Sequence, residues 1–97
     1  MGPIAWDPQK NEANQAKHGL SFEEASVLFA SGVDYLEVFD EAHSEGEDRF
    51  IAIGPVQRGV VAIVWTELDD GAIRIISARH ATRRERTYFE RHLKNQR

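Results

Sequence analysis

The sequence has no cysteine, only three prolines and no long apolar run. The lack of cysteine excludes disulfide scaffolds, thiol nucleophiles and zinc sites with cysteine ligands, and it is compatible with a reducing cytosol. The longest apolar run, Val60 to Trp65, is far shorter than the roughly 20 residues that span a bilayer. The first residues carry neither the basic nor the apolar region of a secretion signal, so we expect a cytoplasmic protein.

The 97 residues fit one domain, and we expect residues 1–97 to fold as a single unit. With 41% hydrophobic and 29% charged residues, the composition is typical of a globular protein rather than a disordered one. The net charge of −4 argues, taken alone, against a nucleic-acid binder.

The basic and acidic side chains are unevenly distributed along the chain. Residues 1–73 carry four basic and fourteen acidic side chains, whereas residues 74–97 carry eight basic and two acidic ones. Such a split indicates one surface that meets an anion. The alternative is a solvated arginine-rich helix that pairs with the acidic part of the same molecule.

Capping signals predict three helices. Asp7 and Pro8 suit the N-cap and first position of a helix over Pro8–His18, which Gly19 ends. This helix is nearly all polar, so it is either solvated or covers another element. Two capping boxes mark the other helices. The second helix follows Ser21 and Glu24, and the third follows Thr82 and Glu85.

Apolar spacing identifies the helix faces that should pack on the core. In the second helix these residues are Phe22, Ala25, Leu28 and Phe29. In the third helix they are Tyr88, Phe89, His92 and Leu93.

Alternating and continuous apolar segments predict the strands. Residues 4–6 fit a short edge strand, and residues 35–39 fit a short mixed one. Residues 49–54 and 60–67 form a hairpin around a turn from Gly54 to Gly59, with both strands covered on two faces. Residues 72–79 return as another antiparallel strand after the turn at Asp69–Gly71. The order predicts an α+β fold: a small antiparallel sheet packed against two N-terminal helices and a C-terminal helix.

The junction of the last strand and last helix breaks a local rule. The first turn of a helix favours acidic residues, yet Arg83 and Arg84 lie there, with Arg79 before them and Arg86 after. A helix N-terminus among arginines is suited to bind an anion such as phosphate. The alternative is that nearby carboxylates neutralise these arginines.

Four segments closely resemble the BrnT family of bacterial toxins, in order and spacing, from residue 4 to about residue 90. These segments are Ile4-Ala5-Trp6-Asp7-Pro8, Asn14-x-x-Lys17-His18-Gly19-Leu20-Ser21-Phe22-x-x-Ala25, Gly46-Glu47-Asp48-Arg49, and Ile73-Arg74-Ile75-Ile76-Ser77-Ala78-Arg79-x-Ala81-Thr82-x-x-Glu85-Arg86-x-Tyr88. The resemblance implies a RelE/ParE-like fold and a type II toxin that cleaves RNA without a metal or other cofactor. It also implies an antitoxin, BrnA, a ribbon-helix-helix DNA-binding protein that neutralises the toxin and represses the shared operon.

Two positions depart from the family pattern. Leu68 stands where members often have arginine, and His80 stands where they often have lysine. The first change weakens the expectation of phosphate binding at that position. The second supplies an imidazole, which can exchange protons near neutral pH.

Metal-free RNA cleavage needs a base, an acid and cations that stabilise the crowded phosphate. Arginine suits the last role because it stays charged and binds phosphate through two N–H groups. Arg79 is the first candidate, followed by Arg83 and Arg49, and the further phosphate-binding candidates are Arg74, Arg84, Arg86 and Lys17. Strand alternation predicts that Arg74 and Arg79 lie on opposite faces, so one of them is expected to bind a partner.

The acid and base candidates are Glu67, Glu47, His80 and Tyr88. An imidazole can act as acid or base near neutral pH, which favours His80, although an exposed histidine at a strand end is often without a role. Core packing is the more common role for Tyr88, as it is for the two tryptophans. No histidine spacing fits a zinc site.

Two function classes therefore remain. The first is a metal-independent endoribonuclease toxin held by an antitoxin. The second is a non-catalytic RelE-like module that acts through an antitoxin and operator complex, an alternative that Leu68 keeps open. A direct DNA binder has no helix-turn-helix signal in its favour.

Overall fold

A five-stranded mixed sheet carries helices on both faces and along one edge. The computed structural model describes residues 3–95. The remaining residues of the predicted 1–97 domain, 1, 2, 96 and 97, lie outside the described residues. The elements are β1 (Ile4–Ala5), α1 (Pro8–His18), α2 (Phe22–Ala30), β2 (Leu36–Phe39), β3 (Phe50–Val56), β4 (Gly59–Glu67), β5 (Ile73–His80) and α3 (Arg83–Asn95). The strand order is β1-β5-β4-β3-β2.

The predicted α+β class is confirmed, with one addition to the sheet. Strands β2 to β5 are antiparallel neighbours, as expected. Strand β1 pairs parallel to β5 through Ile4 and Ile73, which makes the sheet mixed rather than wholly antiparallel. The N-terminal edge strand agrees with the prediction, but its parallel direction does not follow from the local sequence. That direction depends on its pairing with β5, which lies far along the chain.

The helices begin and end at the predicted caps. Asp7 accepts a hydrogen bond of 2.9 Å from the backbone N–H of Gln9, and Gly19 ends α1 with φ = 67°. Ser21 and Glu24 form the full capping box of α2. At α3, Thr82 and Glu85 exchange the same two hydrogen bonds, so the third helix also has its predicted box.

Two hydrophobic clusters lie on opposite faces of the sheet, and α2 covers one of them. All four predicted core residues of α2 are buried, and Phe29 packs edge-to-face on Trp65 of β4. On the other face, Phe89 of α3 packs with Ile53 and Ala62. The central strands are therefore covered on both faces, as their continuous apolar character predicts.

Helix α1 covers the free edge of β5 rather than a face of the sheet. Its polar surface includes two buried asparagines, Asn11 and Asn14. The Asn14 side chain donates to the carbonyl of Ala78 at 2.7 Å and accepts from its N–H at 3.0 Å. These are the hydrogen bonds that a neighbouring strand would make, so a polar helix suits this position.

The β3–β4 hairpin is tighter than predicted. Val56 pairs with Gly59, so the turn consists of Gln57 and Arg58 rather than the whole of Gly54–Gly59. Gly54 lies within β3, and a Cβ at this position would meet Leu28 of α2 at 2.7 Å. That glycine marks a close approach of helix and strand rather than the start of a turn.

Strand β5 contains a β-bulge. Val64 pairs with Ser77 and Trp65 with Ile75, so Ile76 is an extra residue without an opposite partner. An extra residue reverses the inward and outward alternation of all positions beyond it. Within residues 3–95, no helix combines the length and apolar character needed to cross a bilayer.

Candidate nucleic-acid interface

Arg79 lies near the end of β5 on the sheet face that carries α3. It pairs in register with Ala62, which belongs to the core cluster under Phe89. Its two terminal nitrogens donate to the two carboxylate oxygens of Glu85, Nη1 at 2.6 Å and Nη2 at 2.9 Å. Arg79 is therefore neutralised by Glu85, as the alternative interpretation of the strand–helix junction predicted for this residue.

Glu85 belongs to two interactions at once. One of its oxygens accepts from the backbone N–H of Thr82 at 2.9 Å, which caps α3, while both face Arg79. The hydrogen bonds from Arg79 hold the pKa of Glu85 below its ordinary value, and the same contact raises the pKa of Arg79. The pair is thus ionised across the physiological range, and the helix N-terminus already holds a carboxylate.

Arg74 lies on the same face of the sheet as Arg79, and the prediction of opposite faces is wrong. Arg74 pairs with Thr66, which lies four residues from Ala62 along β4 and so on the same face. The extra residue Ile76 reverses the alternation between the two arginines. At about 3.3 Å per residue, their positions in β5 are roughly 15 Å apart.

Glu47 holds two arginines at the far end of this face. A single terminal nitrogen of Arg74 donates to both carboxylate oxygens of Glu47, at 3.0 and 3.2 Å. Arg49 approaches the same carboxylate at 3.4 Å, and its Nε lacks a partner among the described residues. Glu47 thus accepts hydrogen bonds from two predicted phosphate ligands.

The outer face of α3 carries arginines without ion pairs. Within residues 3–95, every arginine of the strands and loops contacts a carboxylate, namely Arg49, Arg58, Arg74 and Arg79. Arg83, Arg84 and Arg91 are exposed and belong to none of these pairs. They line one shallow groove together with Thr87 and Tyr88.

Tyr88 lies in this groove and not in the core, so the interpretation of Tyr88 as a core residue is wrong. Its side chain is 46% exposed, and Leu93 of the same predicted stripe is 36% exposed. Only Phe89 of that stripe is buried, where it packs with Ile53 and Ala62 of the sheet. An exposed phenol among arginines is typical of surfaces that stack on bases.

The remaining candidates are Arg86, Lys17 and His80. Arg86 donates to the carbonyl of Ala81 at 2.9 Å, and Lys17 lies at the β5 edge beside Ile76. His80 is exposed and pairs in register with Val61, whose side chain belongs to the α2-side core, so it faces away from Arg79.

Glu67 lines an acidic depression that holds no arginine. Its other acidic members are Glu47, Asp48, Asp69 and Asp70. No arginine lines the depression beside Glu67, whereas Glu47 contacts both Arg49 and Arg74. Leu68, which departs from the family pattern, also lines this depression. Among the described residues, no group of three or more potential ligands could hold a metal ion.

Comparison with known proteins identifies the family. The model of the family described as "Ribonuclease toxin, BrnT, of type II toxin-antitoxin system" matches residues 6–85. The chain belongs to the BrnT ribonuclease toxin family. A search of curated proteins finds no match.

The fold agrees with that of a solved BrnT. The crystal structure of the Brucella abortus ribonuclease toxin BrnT superposes with a TM-score of 0.62 at 26% sequence identity. The match covers 86% of this chain and 100% of the Brucella chain. The BrnT resemblance seen in the sequence is thus confirmed, and a type II family implies an antitoxin partner.

Sequence reasoning missed two parts of the BrnT site region. Arg91 belongs to the unpaired set on α3, and its spacing of eight residues from Arg83 signals a shared helix face. Asn14 is not among the predicted site residues, because its burial within a polar helix is visible only in the fold. Nothing in the sequence marks the bulge at Ile76.

Proposed function

We propose that this BrnT chain is a metal-independent endoribonuclease that cleaves RNA and arrests growth until an antitoxin neutralises it. Support comes from membership of a ribonuclease toxin family and from the location of Arg79. The observation that carries the proposal is the shared sheet face of Arg79 and Arg74, which also carries α3 with its unpaired arginines. This arrangement offers cations to several phosphates of one strand.

The proposed reaction is an internal transfer in the RNA. The 2′-oxygen attacks the adjacent phosphorus while a base takes the 2′-proton. The bond from phosphorus to the 5′-oxygen breaks, and the 5′-oxygen takes a proton from an acid. The products are a 2′,3′-cyclic phosphate and a 5′-hydroxyl end, and the reaction consumes no cofactor.

Arg79 is the proposed catalytic cation. Both negative charge and crowding increase at the phosphate as the 2′-oxygen approaches, and a guanidinium stabilises that charge without losing its proton. Its side chain is 34% exposed, so a phosphate can approach it from solvent. The capped N-terminus of α3 adds a favourable dipole at the same location.

His80 follows Arg79 at the end of β5, but it faces the other side of the sheet, so we assign it no proton transfer at the phosphate that Arg79 binds. Glu47 accepts hydrogen bonds from both Arg74 and Arg49, which suits it to orient those arginines on the RNA backbone. We assign no role to Glu67 in the reaction.

The outer face of α3 is proposed to bind the RNA strand beside the cleavage site. Arg83 and Arg84 lie where helix stability favours acidic residues, and no carboxylate of residues 3–95 pairs with them. Arg86 and Lys17 are proposed to contribute further positive charge at the edges of this RNA-binding surface. A phosphate backbone would stabilise all of these cations.

The proposed partner is a BrnA-like antitoxin with a ribbon-helix-helix domain, which would connect the toxin to operator DNA. The proposed site of action is the cytoplasm, where both the antitoxin and RNA are available. Growth arrest on expression, relieved by co-expression of the adjacent antitoxin gene, is the expected behaviour. A toxin that arrests growth with or without its antitoxin would contradict this proposal.

The test of the enzyme is cleavage of purified RNA in excess EDTA. We expect cleavage by the wild type and a loss of about 100-fold or more in Arg79→Ala. Folded wild type that binds RNA without cleaving it from pH 5 to pH 9 would contradict the enzyme and favour the binding module. Glu24→Gln provides a folded control on the opposite side of the sheet, because Glu24 also pairs with an arginine.

A further inference from the structure

We propose that Glu85 is a positioning residue, which holds the Arg79 guanidinium so that one edge of it faces the RNA phosphate. This inference rests on the proposed endoribonuclease function. It goes beyond that function because Glu85 itself would touch neither substrate nor the reacting atoms.

The first argument is the edge of Arg79 that Glu85 occupies. Glu85 binds the two terminal nitrogens, Nη1 and Nη2, in an end-on arrangement. A guanidinium has five N–H donors, so Nε–H and one hydrogen on each terminal nitrogen remain. The side formed by Nε and Nη2 is therefore available for a two-point contact with phosphate.

The second argument is the unequal exposure of the pair. The Glu85 side chain is 17% exposed, whereas that of Arg79 is 34% exposed. The Arg79 side chain is thus about twice as open to solvent as that of Glu85. A phosphate that arrives from solvent meets the cation first, so it would join the pair rather than displace Glu85.

The third argument is the anchoring of Glu85 itself. Its Oε1 accepts from the backbone N–H of Thr82, and its own N–H donates to the hydroxyl of Thr82 at 3.1 Å. The carboxylate of Glu85 is thus held by one hydrogen bond and its backbone by a second, both to Thr82. Arg79 is held relative to a helix rather than by a mobile surface side chain.

A matched pair of variants separates positioning from simple helix capping. Glu85→Gln keeps an oxygen that can accept from Thr82 but removes the charge and one acceptor for Arg79. Glu24→Gln makes the same change in the α2 capping box, where Glu24 pairs with Arg58 at 2.9 Å. Both variants weaken one box and one arginine pair, but only the first affects Arg79.

The expected result is a loss of kcat of about 100-fold in Glu85→Gln, because small displacements of a catalytic group have effects of that size. KM should change much less, since the cation remains to attract RNA. Glu24→Gln should retain the wild-type kcat. Equal kcat in both variants, or a higher kcat in Glu85→Gln, would overturn the proposal.

A double variant tests whether Glu85 acts through Arg79. In an Arg79→Ala background, Glu85→Gln should have no further effect on kcat, because the group that it positions is absent. If the loss of kcat in the double variant equals the product of the losses in the two single variants, the proposal is overturned.

A measurement without cleavage distinguishes this inference from the enzyme proposal. In NMR spectra of the wild type, a non-cleavable 2′-deoxy oligonucleotide should shift the Arg79 Nε–H signal while the terminal N–H groups stay bonded to Glu85. This result would stand even if no RNA were cleaved. An unshifted Nε–H signal, or release of the terminal N–H groups from Glu85, would overturn the proposal. Because this measurement uses only the wild type, it remains decisive if Glu85→Gln fails to fold.

Discussion

Asn14 of α1 is hydrogen-bonded to both backbone groups of Ala78, the residue that precedes Arg79 in β5. Its side-chain nitrogen also donates to the carbonyl of Leu20 at 2.8 Å. One buried side chain thus joins the first helix, the start of the second and the strand that carries the proposed catalytic cation. These hydrogen bonds hold the edge of β5 in place directly before Arg79.

Replacement of Asn14 by alanine should therefore destabilise the protein by about 3 kcal/mol, because three backbone groups lose their partner in a buried location. Urea unfolding measures this difference. Gln9→Ala, an exposed change in the same helix, should stay within about 0.5 kcal/mol of the wild type. A loss under 1 kcal/mol for Asn14→Ala would show that water replaces the asparagine.

The helices could be predicted because their signals are local. Capping boxes at Ser21 and Thr82 and the glycine after α1 lie within a few residues of the ends that they define. The direction of β1 and the continuation of β3 through Gly54 depend on contacts between distant segments. Such contacts leave no periodic pattern in the sequence.

Gly54→Ala should destabilise the fold by about 1–3 kcal/mol, the usual effect of overpacking. A methyl group there would lie 2.7 Å from Leu28 Cδ1 and 2.8 Å from Tyr35 Cβ. The double variant with Leu28→Ala should lose less than the two single changes together, because the clash with Leu28 is relieved. Additive losses in thermal unfolding would contradict this account of Gly54.

The site was harder to predict than the fold, and Ile76 shows why. Arg79 and Arg74 could be chosen as phosphate ligands from their residue type and their neighbours in the sequence. The sheet face on which each arginine lies could not be predicted. One extra residue in β5, Ile76, puts both on the same face, and nothing in the sequence marks that residue. The ion pairs of Arg79 and Arg74 likewise require the folded arrangement.

Arg74→Gln should weaken RNA binding and reduce the slope of log K against log salt by about 0.7, the value for one phosphate contact on a single strand. Arg58→Gln is the matched control, because Arg58 is similarly exposed and also ion-paired but lies beside α2. It should leave the slope unchanged. Equal slopes for wild type and Arg74→Gln would place Arg74 outside the RNA path.

Arg83 and Arg84 should affect stability and RNA binding in opposite directions. Glutamine at both positions should stabilise the protein by a few tenths of a kcal/mol each, because cations are unfavourable in the first turn of α3. The same double variant should reduce the salt slope of RNA binding by about 1.4. Arg91→Gln, near the other end of the helix, should weaken RNA binding without stabilising the protein, and a gain in its thermal stability would contradict the dipole argument.

The Arg79–Glu85 pair should make part of the stability depend on acid pH. Arg79 lowers the pKa of Glu85 in the folded state, so the pair contributes fully above the ordinary value of 4.5. Its contribution is lost as the pH falls through the lowered folded pKa. Because the pair is partly exposed to solvent, we expect about 1 kcal/mol.

Urea unfolding of wild type and Glu85→Gln at pH 7 and at about pH 3 measures this contribution. The wild type should be the more stable protein at pH 7, and the difference should shrink at the lower pH as Glu85 takes up its proton. Other carboxylates, including Glu24 with its own arginine partner, titrate equally in both proteins and cancel. A difference of the same size at both pH values would mean that Glu85 stabilises α3 through its uncharged capping hydrogen bond alone.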